Sequence, residues 1–119
     1  MITNNTFAIA IPSVNRHDLL NPTLQKYVTE SFPNTWILVL DNGNQPIFKH
    51  ENISINTQKE NIYVSASWNL LCSTVFLNYD YCLMLNDDIR INADEGLITE
   101  FIKRNPSVDF FNSFFQWSS

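Results

Sequence analysis

The sequence predicts an α/β fold, in which a mostly parallel, Rossmann-like sheet lies between two layers of helices. Two observations predict this three-layer αβα arrangement. Short apolar segments alternate along the chain with segments of helical periodicity, an order typical of a parallel sheet covered by helices. Each apolar segment also ends abruptly in polar residues, as a buried strand does where it leaves such a sheet. At 119 residues, we expect a single domain over residues 1–119.

Composition excludes several classes of protein. A hydrophobic fraction of 45% is typical of a packed globular domain and not of a disordered segment. The net charge of −5 argues against nucleic acid as a partner, because nucleic-acid binding needs a basic surface. We expect no membrane span and a cytoplasmic location, since the sequence has neither a long apolar run nor a signal-peptide pattern. Cys72 and Cys82 are expected to be free thiols.

The first half of the chain predicts two strands and a helix. The apolar run Phe7–Ile11 predicts the first strand. A helix is expected to start at Asn21 and Pro22, with Asn21 as its cap and Pro22 at its first position. Trp36–Leu40 predicts the second strand, and Asp41–Asn44 forms a polar turn at its end.

In the second half of the chain, the strand predictions are weak at the start and the predictions of strands and helices are stronger later. Short strands are predicted weakly at Ile53–Ile55 and at Asn61–Val64, and Ser65 is expected to cap the next helix. Tyr81–Leu85 predicts a buried strand. Two further elements follow: a helix capped through the spacing of Asn92 and Glu95, and a strand at Val108–Phe115.

An acidic stretch follows the predicted strand Tyr81–Leu85. Asn86, Asp87 and Asp88 supply two carboxylates and an amide oxygen, which are hard ligands suited to Mg²⁺ or Mn²⁺. A metal held by only one or two carboxylates keeps positions open for the phosphates of a nucleotide. The alternative is that Asp87 and Asp88 only form a turn between two elements.

Three strand ends are predicted to bring polar residues to one edge of the sheet: Ser13–Arg16, Asp41–Asn44 and Asn86–Asp88. In open α/β sheets, ligands bind at the carboxyl edge of the strands, so this edge is the candidate site. The sequence contains no dinucleotide-binding glycine motif, no P-loop and no G-x-S-x-G elbow, which excludes three common kinds of active site.

Four segments resemble, in order and spacing, the motifs of family 2 glycosyltransferases of the GT-A fold. Phe7–Leu20 is similar to the opening strand of the family, its P-[ST]-x-N-R pattern and the following helix. Leu38–Asn44 is similar to the second strand and its turn. Asn61–Asn69 lies where the family carries a loop and a helix start, and Leu83–Ile89 is similar to a form of the D-x-D motif.

The resemblance implies the nucleotide-binding half of a GT-A domain and a function. That function is metal-assisted transfer of a sugar from a nucleotide-diphosphate sugar, with UDP expected, to an unknown glycan or other hydroxyl acceptor. The implied cofactor is Mn²⁺ or Mg²⁺, held by Asp88 and Asp87. Asp41 would face the nucleobase, and the catalytic residues stay unassigned. The residues implied to bind the nucleotide are Pro12, Ser13, Asn15, Arg16, Asp41, Asn69, Asn86 and Asp87.

Three departures from the family pattern limit these expectations. Asn86 supplies a neutral oxygen at the first position of D-x-D, and Ser65–Trp68 replaces the usual glycine at the start of the third-motif helix. The chain also covers only the first half of a GT-A domain, so we expect it to be truncated before the acceptor-binding part. Alone, it is expected to bind the nucleotide sugar and to transfer it poorly.

Other classes stay open at this point. A non-catalytic nucleotide-sugar-binding or protein-interaction module of the same fold is the main alternative. A homo-oligomer is a further alternative, because the Phe-rich stretch Phe110–Trp117 would make an apolar surface if exposed. A phosphoacceptor receiver domain is disfavoured, since its paired acids should follow the first strand. A glycoside hydrolase is disfavoured because Asp87 and Asp88 are adjacent and do not flank a cleft.

Overall fold

The apolar segments of the sequence form one parallel sheet. A computed structural model describes residues 1–105 and the backbone of residues 117–118. Four parallel strands lie in the order β3-β2-β1-β4, and a short antiparallel pair, β5 and β6, lies apart from them. The strands are β1 (Phe7–Ser13), β2 (Ile37–Asp41), β3 (Ile53–Thr57), β4 (Tyr81–Met84), β5 (Arg90–Ile91) and β6 (Trp117–Ser118).

Helices cover both faces of the parallel sheet, which confirms the predicted α/β fold. They are α1 (His17–Lys26), continued by a π-helical segment (Tyr27–Ser31), then α2 (Tyr63–Val75) and α3 (Glu95–Arg104). The alternation of side chains along β1 divides the core into two parts. Large side chains face α1 and α3, whereas the small Ala8 and Ala10 face α2 and pack with its Leu71 and Val75. All strand residues Phe7–Ile11 are 0% exposed, as expected for a central parallel strand.

The first helix begins earlier than the sequence predicted. It starts at His17, so Pro22 lies inside it and Asn21 is no cap. The amide of Asn21 serves another purpose: it donates to the carbonyl of Pro46 at 2.8 Å and accepts from the backbone N–H of Phe48 at 2.8 Å. Asn21 therefore fastens the loop after β2 to the helix, a role that local helix-start signals do not reveal.

Two other helix starts also differ from the prediction. Residues 61–64 are not a strand, because α2 begins at Tyr63, and Ser65 lies inside this helix. The cap of α3 is Asp94, whose carboxylate accepts from the N–H of Leu97 at 2.9 Å, and not Asn92. The weakly predicted strand at Ile53–Ile55 is confirmed as β3. The strand predicted at Val108–Phe115 lies outside the described residues.

Both cysteines are free thiols, as predicted. Burial, reinforced by the adjacent thiol of Cys72, raises the pKa of the Cys82 thiol to about 12. Cys82 is therefore protonated at neutral pH, and a thiol rather than a thiolate is the form that packs in the core. Over the part of the chain that is described, no helix has the length and apolar character needed to cross a bilayer.

Tyr27 combines a buried ring with a structural hydrogen bond. It is 0% exposed, and its hydroxyl accepts from the backbone N–H of Ile91 in β5 at 3.1 Å. Tyr27→Phe is expected to lower the free energy of unfolding by about 1–2 kcal/mol, because the buried N–H loses its acceptor. Urea unfolding measures this change. Tyr63→Phe is the matched control, since Tyr63 is 73% exposed; an equal loss in both variants would refute the role of the hydroxyl.

Candidate functional site

The carboxyl ends of three strands meet at one edge of the sheet. Ser13 at the end of β1 pairs with Asp41 at the end of β2, and the N–H of Asn42 donates to the carbonyl of Ser13 at 2.8 Å. The N–H of Val14 donates to Asp87 Oδ2 at 3.3 Å, which joins the segment after β4 to the end of β1. We call this edge the carboxyl rim: residues 13–16, 41–45 and 86–88. The predicted segments are therefore adjacent.

Asp41 lies inside the rim with its carboxylate fully engaged by its own chain. Oδ1 accepts from the N–H of Gly43 and from Gln45 Nε2, both at 3.0 Å. Oδ2 accepts from the N–H of Gln45 at 3.0 Å and from the hydroxyl of Thr57 at 3.3 Å. Burial raises the pKa of this carboxyl, but the hydrogen bonds outweigh burial and leave the pKa of Asp41 below its ordinary value. Asp41 is therefore ionised, and its carboxylate holds the turn after β2 in place through these hydrogen bonds.

In this arrangement, the carboxylate of Asp41 is not free to accept a hydrogen bond from a nucleobase. The residue is only 1% exposed, and four donors already occupy the directions in which a carboxylate accepts. A base would have to displace one of these donors before it could bond to Asp41. The nucleobase contact therefore stays a prediction, and it now requires a rearrangement of the rim.

Gln45 is the residue of this site that sequence reasoning missed. Its side-chain Oε1 accepts from the backbone N–H of Arg16 at 2.8 Å, while Nε2 donates to Asp41 Oδ1. The same amide group lies 3.3 Å from the hydroxyl of Ser13. One side chain therefore connects the ends of β1 and β2. A polar residue two positions after a glycine turn gives no sequence signal for such a role.

Asn42 connects the rim to the start of α2. Its Nδ2 donates to the hydroxyl of Ser67 at 2.9 Å, and its Oδ1 accepts from the N–H of Ile62 at 3.2 Å. Asn42 and Ser67 are 7% and 0% exposed, so this bond is shielded from water. Asn69, one of the residues implied to bind the nucleotide, lies on the exposed surface of α2, and its role stays a prediction.

Backbone strain is concentrated next to the rim. Within the described residues, left-handed backbone at a residue other than glycine occurs at Asn15, Asn44 and Tyr63, with φ angles of 54°, 51° and 65°. Asn15 and Asn44 follow β1 and β2, and Tyr63 begins α2. Gly43 lies close to Asn15, since a Cβ at this position would be 3.2 Å from the backbone nitrogen of Asn15 and would displace the Asn15 side chain. Such strain costs about 1–3 kcal/mol per residue and tends to cluster at binding sites.

The remaining predicted residues differ in exposure. Pro12 is half-buried in β1, whereas Arg16 and Asn15 are exposed at the rim. Asn86 and Asp88 are exposed, and Asp87 is half-buried. These positions leave the polar groups of the acidic stretch and the Arg16 side chain at the surface, where a charged ligand can reach them.

The acidic stretch fits a metal only together with a ligand. The described residues contain no group of three His, Cys, Asp or Glu side chains placed to hold a metal ion. Asp87, Asp88 and the amide of Asn86 offer oxygen donors on one short segment. Such a donor set fits a hard divalent ion that takes its other ligands from water and a diphosphate. It does not fit an ion bound tightly by protein groups alone.

Comparison with known proteins identifies solved structures that have a similar fold. No protein-family model and no curated protein sequence matches the chain. Among solved structures, it is similar to S. aureus TarS (residues 1–349) in complex with UDP-GlcNAc, with a TM-score of 0.67 and 14% identity over 91% of this chain. The similarity to TarS in complex with UDP has a TM-score of 0.66, also at 14% identity and 91% coverage. The chain spans 36% and 38% of those two TarS chains. At this identity, the likeness confirms the predicted fold, an α/β domain of the GT-A type.

Proposed function

We propose that this chain binds a UDP-sugar at the carboxyl rim and is the donor-binding part of a metal-assisted glycosyltransferase. The observation that carries the proposal is the junction of the segments after β1, β2 and β4, in a fold shared with a protein solved with UDP-GlcNAc and with UDP. In open α/β sheets, this edge is where ligands bind. The acceptor, a glycan or another hydroxyl compound, would be bound by parts of the enzyme beyond this domain.

The residues of the rim have distinct tasks in this proposal. The backbone N–H of Val14 donates to the carboxylate of Asp87, which ties the acidic stretch to the segment that carries the exposed Arg16. Arg16 would neutralise part of the diphosphate charge. Asp87 and Asp88 would hold Mn²⁺ or Mg²⁺, which when bound offsets the charge that develops on the departing nucleotide. Asn42, which donates to the hydroxyl of Ser67 and accepts from the N–H of Ile62, keeps the start of α2 in place beside these groups.

Titration calorimetry with UDP, UDP-glucose and GDP-mannose, each with and without Mn²⁺, tests the donor site. Asp88→Ala is expected to weaken Mn²⁺-dependent UDP binding by about ten- to a hundredfold, because one of two carboxylate ligands is lost. Asp80→Ala is the matched control, since Asp80 is also exposed but lies at the opposite end of β4. Equal UDP binding by wild type and Asp88→Ala would contradict the metal role of Asp88.

A non-catalytic nucleotide-binding module of the same fold is the second candidate function. It is favoured by one observation: the described residues hold no group of acidic or histidine side chains that could bind a metal unaided. Under this alternative, UDP binds equally well with Mn²⁺ and with a chelator. Metal-dependent binding of UDP would contradict it.

A further inference from the structure

The outer face of α2 carries a row of apolar side chains. Four of them lie at intervals of four residues along the helix: Val64, Trp68, Cys72 and Phe76. Val64 and Phe76 are 70% and 53% exposed, Trp68 is also exposed, and Cys72 is half-buried. Rows with this spacing are the ridges through which helices in globular proteins most often pack against each other. Within the described residues, this row therefore has the form of a helix contact whose second helix is missing.

The surroundings of the row are uncharged. The chain has a net charge of −5, yet α2 contains no Asp, Glu, Lys or Arg. Among the described helices, α1 and α3 each expose one large apolar side chain, Leu19 and Leu97, whereas five are exposed between Tyr63 and Leu77. A surface helix normally places charged and polar residues on its outer face. Depletion of charge together with exposed aromatic residues is typical of the centre of a protein interface.

The apolar positions are arranged symmetrically about the middle of α2. If a second α2 lies antiparallel across residue 70, position 64 of each copy faces position 76 of the other, and position 68 faces position 72. Tyr63 and Leu77, which are both exposed, face each other in the same arrangement. Every apolar side chain then meets an apolar side chain, which is the self-complementarity that a two-fold interface requires. Antiparallel helices also place the positive end of one helix dipole beside the negative end of the other.

We propose that two copies of this chain associate through α2 in an antiparallel, two-fold arrangement. The five exposed side chains offer an apolar area on the order of 600 Å², and a specific interface buries about 800 Å² per partner. The uncharged residues beside the row, Ser65, Asn69 and Ser73, add to this area. An interface of this size is at the low end for specific complexes, so the dimer is weak, with a Kd on the order of 0.1 mM. At the low protein concentrations of unfolding experiments, the chain is a monomer with an exposed α2 face.

The Phe-rich stretch of the same chain joins elements of the opposite face. It follows α3 and leads to β6, which pairs with β5. Both α3 and β5 contribute to the core on the α1 side of the sheet, through Ile98 and Ile91. The helix α2 packs with Ala8 and Ala10 on the other side. A second copy is therefore the occupant that fits this surface, and its binding leaves the carboxyl rim open because the charged rim residues lie outside α2.

Sedimentation equilibrium tests the association, at protein concentrations from tenfold below to tenfold above the expected Kd. Wild type is expected to change from monomer to dimer over this range. Val64→Glu and Phe76→Lys should each weaken the association by about tenfold or more, because each places an unpaired charge in the interface. The new carboxylate lies near the start of α2 and the new ammonium group near its end, where the helix dipole favours them. Leu97→Glu, at an exposed apolar position of α3, is the matched control and should associate as wild type does.

An equimolar mixture of the two charged variants tests the direction of the pairing. In a mixed antiparallel dimer, the carboxylate introduced at position 64 faces the ammonium group introduced at position 76, and the other end keeps its original Val64 and Phe76. The mixture is therefore expected to recover the association of wild type. A parallel pairing would leave both charges against apolar side chains, and the mixture would stay monomeric. The inference is overturned by that result, by wild type that is monomeric at every concentration, or by single variants that associate as wild type does.

Discussion

Asp41→Ala is expected to lower the free energy of unfolding by about 3–5 kcal/mol, a large share of the roughly 5–15 kcal/mol that holds a domain together. The residue is 1% exposed, and its carboxylate accepts from Gly43, from Gln45 twice and from Thr57. Truncation leaves these donors without an acceptor, and the bonds that are lost are partly shielded from water. Urea unfolding measures the loss, and UDP binding should disappear with it.

Asp88→Ala is the matched control for stability, because the same change at an exposed carboxylate should alter the free energy of unfolding by no more than about 0.5 kcal/mol. The effect of Asp41 should also depend on pH. Its pKa in the folded state is lowered from 3.8 by hydrogen bonds that outweigh burial. Its stabilising contribution is therefore complete above the unfolded pKa and is lost as the pH falls through the lower folded pKa. The gap between wild type and Asp41→Ala should narrow only below about pH 4; a gap that does not change with pH would contradict an ionised Asp41.

Phe32→Ala is expected to cost about 3–5 kcal/mol of unfolding free energy. The ring is 0% exposed and makes two edge-to-face contacts, with Tyr27 at 5.2 Å and with Phe7 at 6.3 Å between centroids. Through these contacts it joins the π-helical segment to β1, so truncation leaves a cavity between the sheet and the helix layer. Chemical denaturation followed by circular dichroism measures the change.

Phe76→Ala provides the control for this aromatic truncation. Phe76 follows α2 and is 53% exposed, so the same loss of a ring should cost less than about 1 kcal/mol. If Phe32→Ala and Phe76→Ala lower the free energy of unfolding by similar amounts, the ring contacts of Phe32 with Tyr27 and Phe7 do not contribute the stability predicted for them.

The two central strands of the sheet were predictable from the sequence because β1 and β2 are buried on both faces. Continuous apolar runs such as Phe7–Ile11 and Trp36–Leu40 have few alternatives, and the polar residues that stop them mark the edge of the sheet. Since the strands are parallel, those stops had to meet at one edge. The adjacency of Ser13, Asp41 and Asp87 follows from these two facts alone.

The helix starts and the internal bonds of the rim were harder to predict. Asn21 and Ser65 have the chemistry of helix caps, but Asn21 bonds to the loop after β2 and Ser65 lies within α2. For Asn21, these tertiary contacts outweighed the local signal. The role of Gln45 depends on a loop conformation set by left-handed backbone at Asn15 and Asn44, which composition and periodicity do not encode.

That left-handed backbone has a further consequence for ligand binding. Glycine adopts such conformations without strain, but a glycine loop remains mobile and loses more conformational entropy when it is ordered. This chain has only two glycines and places asparagine at positions 15 and 44 instead, the residue that tolerates this backbone best after glycine. The entropy of ordering these loops is therefore lost largely during folding. A ligand that reaches the rim is therefore expected to spend less of its binding energy on ordering these loops than it would if both positions were glycine.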